Sequence, residues 1–346
     1  MRCFTVLLTV LIGIYAAIWV SNLGGYGDAY RIAEIRGDVL FGLGSAGYSA
    51  YRTPPEVWEP LFESAMQAAL EQSDLDQPFF LRSFRYFRDA LTLSLGKSDM
   101  RSRSGSHEVR VLLLEKVPMS LLIFGVANLL AFFGGLYIAL GLSRRYGSLL
   151  DRLVTLTAPL FSAPPWFHGI FLIVIFASLL KVLPFGGYIS PPLPETPFEY
   201  VMDVLRHMIL PVLALTLATL PYAAYANRAL FLIHSSEDYV DLGRAKGLGP
   251  GRLQRRYILK PVLPPVITSF VLTALVAWQG LILTEYVFNW PGLGRVLIAA
   301  IFTYTTPVVV GAFTMFAYLL GLSVLFLDFL YVLVDPRVRL GTGGGS

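Results

Sequence analysis

Long apolar runs separated by short charged segments dominate this chain. The runs cover residues 4–20, 118–142, 153–183, 207–233, 264–288 and 306–334. A helix rising about 1.5 Å per residue needs roughly 20 residues to cross a hydrocarbon core of about 30 Å, and each run approaches or exceeds that length. Apolar and polar residues do not alternate within the runs, as they would in the strands of a membrane barrel. Backbone groups find no partners in lipid, so helices are the remaining solution. The pattern predicts an all-α membrane protein of about six spans. Ala163-Pro164-Pro165 interrupts the third run, and proline removes a backbone donor, so a break is expected there. The fourth run carries Pro211 and Pro221 inside it. The first run follows a single charge, Arg2, and residues 21–25 offer no small-x-small cleavage site, so it reads as an uncleaved span.

Residues 21–110 have a different pattern, with acidic and basic residues near balance among aromatics, glycine and proline. Within 56–71, Val57, Leu61, Phe62, Ala65 and Ala69 recur at helical spacing. Phe80, Phe84, Phe87 and Leu91 do the same, with Arg82, Arg85 and Arg88 toward another side. This predicts a small domain of amphipathic helices, some resting on the membrane surface. The expected organisation is a first span over 1–21, an outward-facing, extracytoplasmic domain over 22–110 and a five-helix core over 111–340. The glycine-rich tail 341–346 resembles an expression linker.

Composition sharpens this picture without changing it. Hydrophobic residues make up 55% of the chain and charged residues only 14%, well below the quarter usual in soluble domains. The net charge of +4 comes from basic residues between the runs rather than from a nucleic-acid-binding face. Arg144, Arg145 and Arg152 follow the second run. Arg244, Lys246, Arg252, Arg255, Arg256 and Lys260 follow the fourth, and Arg337 and Arg339 the sixth. Alternating spans put all of these on one side, which the positive-inside rule makes cytoplasmic. Both termini are then cytoplasmic and 22–110 faces outward. The lone Cys3 precludes an intramolecular disulfide and lies too early for a lipoprotein cysteine.

Few residues point to chemistry. His107, His168, His207 and His234 are scattered without ligand spacing, so no metal is expected. Residues 42–47 match a dinucleotide fingerprint but lack an adjoining helical run. Gly96-Lys97-Ser98 mimics the end of a phosphate-binding loop, yet Leu91 stands where its first glycine must be. No ATP site or catalytic constellation is expected in this chain, so it is not an enzyme by itself.

The most informative segment is 235–265. Ser235 or Ser236 is placed to cap a helix whose first turn holds Glu237 and Asp238, and Gly247, Gly249, Pro250 and Gly251 stop it. A basic helical segment then leads into the fifth run. From charge alone this is a solvated positive loop. Asp241-Leu242-Gly243, three residues, then Gly247 and a basic helix into Leu263-Pro264, however, resemble the cytoplasmic loop motif of ABC importer permeases. Ala245-Lys246-Gly247 after Asp238-Tyr239-Val240 is the form typical of the dipeptide, oligopeptide and nickel branch. The resemblance runs from Leu75 to Leu340. It includes Asp151-Arg152, Leu183-Pro184-Phe185-Gly186-Gly187-Tyr188, His207 with Leu210-Pro211, the stretch from Glu285 to Gly294, and Asp335-Pro336-Arg337.

That resemblance implies a B-type permease with the type I ABC importer fold, placed in the inner membrane and moving peptides by alternating access. It implies a second permease chain, two ATPases that bind ATP and magnesium, and an extracytoplasmic binding protein. The coupling residues would be Asp238, Tyr239, Asp241, Gly243, Arg244, Ala245, Lys246, Gly247, Leu248 and Arg252, with Gly247 permitting a positive φ or a close backbone approach. Two positions depart from the motif. Asp241 replaces the usual Glu, and Gly243 stands where Ala is common, which weakens a helix by up to about 1 kcal/mol. The long segment 21–75 and the loop 191–206 lean toward peptide and peptide-antibiotic uptake; oligosaccharide, opine and nickel-complex cargoes remain alternatives.

Polar residues in the spans are candidates for the substrate path: Asn227, Trp278, Gln279, Thr284 and Glu285. Trp278 reads equally as a packing aromatic, and Glu285 as a group reaching interfacial water. Asn289, Trp290, Pro291, Gly292 and Gly294 form a candidate outer gate or a plain Pro-Gly loop. A self-sufficient secondary transporter is the rival class; it should show inverted repeats or midplane ionisable pairs, and neither is visible.

Overall fold

The computed structural model describes residues 2–334 other than 74, 76, 145 and 158–162. The glycine-rich tail and the Asp335-Pro336-Arg337 motif lie outside the described residues. Among those described, regular structure is helical apart from one isolated bridge between Lys97 and Glu108. The chain divides into two compact units, one of residues 1–115 and 296–318, the other of 116–295 and 319–346.

The first unit contains α1 (Arg2–Asn22), α2 (Tyr26–Ser45), α3 (Pro55–Gln72) and α4 (Phe79–Leu91). Pro55 opens α3 at a position that has no intrahelical N–H partner to lose, and Pro78 precedes α4 in the extended conformation. Its core gathers Ile14 and Ile18 of α1, Ala90 of α4 and Val310, with Phe79, Phe87 and Leu95 against them. The apolar stripe on α3 is half-buried at Leu61, Phe62, Ala65 and Ala69, while Val57 is exposed.

Two expectations are corrected in this unit. The 42–47 segment does adjoin a helix, because Gly42 and Gly44 lie in the last turn of α2. On α4 the expected faces are partly exchanged. Phe80 and Phe84 are exposed, and Arg82 is buried. Its guanidinium donates to both oxygens of Asp28, at 3.0 and 2.6 Å, and to the Gln77 carbonyl. The bond to Asp28 outweighs burial and holds the Arg82 pKa above its ordinary value.

The second unit takes most of α5 (Val109–Arg144), then α6 (Leu149–Thr157), α7 (Pro165–Leu172), α8 (Pro197–Ser235), α9 (Asp238–Ala245), α10 (Pro250–Leu253) and α11 (Lys260–Val287). Two further helices, α12 (Leu293–Phe302) and α13 (Thr306–Val334), carry the chain through both units. Helices α7, α8 and α11 pack on one another. Leu172, Ala177, Leu210, Ala214 and Phe288 form one core cluster, and Ala139, Phe231, Val262 and Val266 another. Small residues let backbones approach here: a methyl on Gly135 would sit 3.0 Å from the Ala223 side chain.

Among the described residues, five helices are long and apolar enough to span a membrane: Phe4–Asn22, Val109–Ser143, Pro197–Ser235, Pro250–Ala274 and Thr306–Phe326. The third sequence run is the shorter Pro165–Leu179, and it breaks where expected, with Pro164 as the residue before α7. Its second half widens into a π-helical turn over Ile173–Leu179, and another π-helical segment, Gln254–Leu259, joins α10 to α11. Pro211 and Pro221, by contrast, remain inside a continuous α8.

Candidate functional site

Helix α9 is short and presents nearly all of its side chains. Asp238, Tyr239, Asp241, Leu242, Arg244 and Ala245 are exposed, as are Lys246, Gly247 and Arg252 after it, and Leu248 is half-buried. Only Val240 and Gly243 are buried within the helix. A methyl at Gly243 would meet Leu253 of α10 at 2.7 Å, so this glycine lets α9 lie close against the next element. That is the compensation for its poor helix propensity. Gly247 has φ of 77°, the left-handed conformation that glycine adopts without strain, and it ends the helix. The expected cap is corrected: Glu237 is the residue before α9, while the Ser235 and Ser236 hydroxyls donate back to the Leu232 and Ile233 carbonyls. Tyr239 and Leu242 are large apolar side chains left open among charges, the pattern of a protein contact surface. Leu242 was not among the residues expected from sequence, although its place inside the motif pointed to it.

The same unit holds a cavity of about 970 Å³ between α5, α7, α8 and α11. Its polar groups are Asn128, Thr219, Tyr222, Thr268, Ser269 and Thr273, set among Trp166, Pro165, Leu215 and Leu283. No Asp, Glu, Lys, Arg or His is among its lining residues. Asn227, Trp278, Thr284 and Glu285, expected to line a path, are not among the residues that line this cavity. Asn227 is buried beside a small cavity of about 20 Å³. Trp278 stacks on Phe124 with ring centroids 4.0 Å apart. Thr284 donates to the Gly280 carbonyl at 2.7 Å and is fully buried. Gln279 belongs to α11, and its side chain is outside what the structure describes. The hydroxyl and amide groups that line the cavity are spread over α5, α8 and α11 and carry no local signal that sets them apart from other polar positions in the spans.

Glu285 does not reach interfacial water. It is completely buried, accepts from the Ser120 hydroxyl at 2.6 Å and takes the Gly294 N–H at 2.7 Å in the first turn of α12. Ser120 in turn accepts the Leu293 N–H at 2.8 Å. A carboxyl group at a helix N-terminus satisfies orphan donors and meets the positive end of the helix dipole. In the turn that follows, Asn289 is exposed with φ of 52°, and the packing tightens from Trp290 onward. Trp290 is fully buried and donates from its indole to the Met119 carbonyl at 2.9 Å, and Pro291 is half-buried beside it. Gly292 is buried against the Glu285 carboxylate, which a methyl group there would strike. The Phe288 carbonyl accepts the Gly187 N–H at 2.8 Å, tying the loop before α8 to this turn.

One further ion pair links distant segments. Arg228 of α8 forms a two-armed bond with Asp151 of α6, one arm at 2.6 Å, and its guanidinium lies 5.3 Å from the centre of the Tyr146 ring. Both charges are nearly enclosed, with 12% and 3% of their side chains exposed.

Comparison with known proteins gives this geometry a context. The profile of the family described as binding-protein-dependent transport system inner membrane component matches residues 131–340. The chain is 33% identical over 300 residues to the Probable D,D-dipeptide transport system permease protein of Escherichia coli, covering 80% of this chain and 84% of that one. It is also 33% identical over 289 residues to a di/tripeptide transport system permease protein of Pseudomonas aeruginosa, covering 78% and 84%. Among solved structures, an inward-facing form of the MetNI methionine ABC transporter shares the fold with a TM-score of 0.51 at 18% identity, over 66% of this chain and 99% of that one.

Proposed function

This chain belongs to the family of binding-protein-dependent transport system inner membrane components, and we propose that it is the permease subunit of an ATP-driven importer of di- or oligopeptides. The observation that carries the coupling role is α9, a surface helix with Tyr239 and Leu242 open among Asp238, Asp241, Arg244 and Lys246, pinned from beneath by Val240 and Gly243. Docked in a groove of a cytoplasmic ATPase, those two apolar side chains lose contact with water while the charges around them meet the groove's rim. Because Gly243 seats α9 against Leu253 of α10, motion of the ATPase passes through α10 into α11 and the membrane. In this reading ATP and magnesium are held by the two ATPases, a second permease completes the pathway, and a binding protein delivers cargo to 22–110 on the outer side. Both termini are cytoplasmic.

The neutral cavity serves as this chain's share of the path. Its hydroxyl and amide groups exchange hydrogen bonds with a peptide backbone without a fixed charge to trap it, which lets cargo leave as readily as it enters. Selectivity then rests with the binding protein. The turn 289–294, held by Glu285 and Trp290, acts as the outer gate. Peptide cargo rests on the relatives named above.

Two measurements test this. Mass spectrometry of complexes purified from native membranes in mild detergent should recover a second permease and two ATPases; a chain recovered alone or only with copies of itself would remove the importer reading. Gly247→Asp places a side chain at a positive φ, at a cost of about 1 kcal/mol, and puts a negative charge on the docking face. The variant should insert and fold while ATP hydrolysis loses its response to peptide-loaded binding protein. Undiminished peptide uptake by this variant would rule out α9 as the coupling element.

A further inference from the structure

Helix α4 is inverted with respect to a helix on a water-facing domain. The side turned into the domain holds a charged group, Arg82, paired with Asp28. The side turned out holds Phe80, Leu81 and Phe84, which are 56%, 58% and 54% exposed. Arg85 and Arg88 follow about one turn later on the exposed face, Arg88 also donating to Asp89 at 3.0 Å while its side chain stays 73% exposed. In water, three large apolar side chains would remain solvated beside each other, while a charge is buried at a desolvation cost.

The position of α4 along α1 resolves this. α4 packs on Ile14, Tyr15, Ile18 and Trp19, all in the last nine residues of the 21-residue helix α1. Tyr15 and Ser83 hydroxyls are 3.0 Å apart, and Phe79 meets the Trp19 ring edge-on at 5.0 Å. Nineteen residues of α1 are apolar enough to span, a length of about 28 Å at 1.5 Å per residue. Contacts within the last turns of such a span hold α4 at the boundary between acyl chains and headgroups. Interfacial helices sit with their apolar face about 5–10 Å into that boundary. Leu7, Leu8, Ile12 and Val20 on α1 are also exposed, so the outward side of α4 continues the lipid-facing side of the span.

We propose that α4 is an interfacial anchor whose occupant is the phospholipid of the surrounding bilayer. Phe80, Leu81 and Phe84 enter the acyl boundary of the leaflet at the C-terminal end of α1, and Arg85 and Arg88 reach the headgroup phosphates. Arginine suits this place because its stem lies along apolar surface while its planar fork holds phosphate oxygens. The anchor fixes the height of the attached domain over the bilayer without adding a span.

The test uses the full chain reconstituted in phosphatidylglycerol vesicles, with Cys3→Ser and one nitroxide-labelled cysteine at a time. Phe84→Cys should collide with oxygen several-fold more than with aqueous nickel chelate. Leu7→Cys on α1 supplies the lipid reference and Glu59→Cys on α3 the water reference. Arg85→Glu/Arg88→Glu should shift the label at 84 toward water, with nickel collisions rising several-fold. A label at 84 that matches Glu59→Cys would overturn the anchor, because α4 would then face solvent. Low collision with both reagents would overturn it too, since protein rather than lipid would cover the face. An unchanged depth after the double charge reversal would overturn the phosphate contacts.

Discussion

Glu285→Ala should abolish uptake and lower the stability of the purified protein by about 3–5 kcal/mol. The carboxyl group is fully buried and closes a network in which Ser120 and the N–H groups of Leu293 and Gly294 satisfy one another. Its removal strands the Gly294 N–H and the Ser120 hydroxyl where no water reaches, at about 1–3 kcal/mol for each group, and leaves a void besides. Glu285→Gln should fall between, because one amide oxygen still accepts while the NH2 group opposes a backbone N–H. Gly292→Ala should be comparably severe, since its methyl group runs into the same carboxylate. The sharp expectation concerns the pair. In the Glu285→Ala background the methyl of Gly292→Ala has room, so the double variant should cost much less than the sum of the singles. Thermal unfolding in detergent reads the stabilities. Strict additivity would show that the two residues do not share this space.

Asp151→Ala should destabilise the protein by about 3–5 kcal/mol, the usual consequence of leaving one charge of a buried pair behind. Arg228 would keep the face of Tyr146 without a counter-charge among the described residues, and the Gly147 N–H would also lose its acceptor. Arg228→Met should cost a similar amount. The combination Asp151→Leu/Arg228→Met should recover much of the loss, because well-packed apolar residues replace a buried ion pair at little net expense. Unfolding midpoints of the four proteins settle the matter, and single variants within about 0.5 kcal/mol of the parent would mean that the pair contributes little. The paired charges join α6 to α8 across the Pro164 break, so transport should fall with stability in the singles and return in the double.

Much of this protein is legible in its pattern of residues. The apolar runs mark the membrane helices because a span is a local requirement: each stretch must satisfy its own backbone within about 20 consecutive residues. The break at Pro164-Pro165 and the left-handed turn at Gly247 are local in the same sense, each following from the covalent geometry of one residue type. The loop motif at 238–247 is likewise one contiguous segment, and most of its side chains are exposed along α9 and the turn after it.

The rest depended on residues far apart in the chain. Glu285 meets Ser120 across 165 positions, Arg228 meets Asp151 across 77, and Arg82 meets Asp28 across 54. Glu285 therefore read as a path residue or a water contact until its partners were visible. The faces of α4 went the same way: periodicity identified two sides, but only packing on α1 showed which side meets the domain. The cavity was hidden for another reason. It is lined by hydroxyls, amides and small residues that are individually ordinary, and only the convergence of α5, α7, α8 and α11 makes them a site. Sequence by itself determined which segments are helices, most of those apolar enough to cross a membrane and where the chain turns at Pro164 and Gly247, because these are set within a few residues. Tertiary structure decided which charges are spent on one another and which surfaces stay open, because both depend on partners that no local spacing encodes.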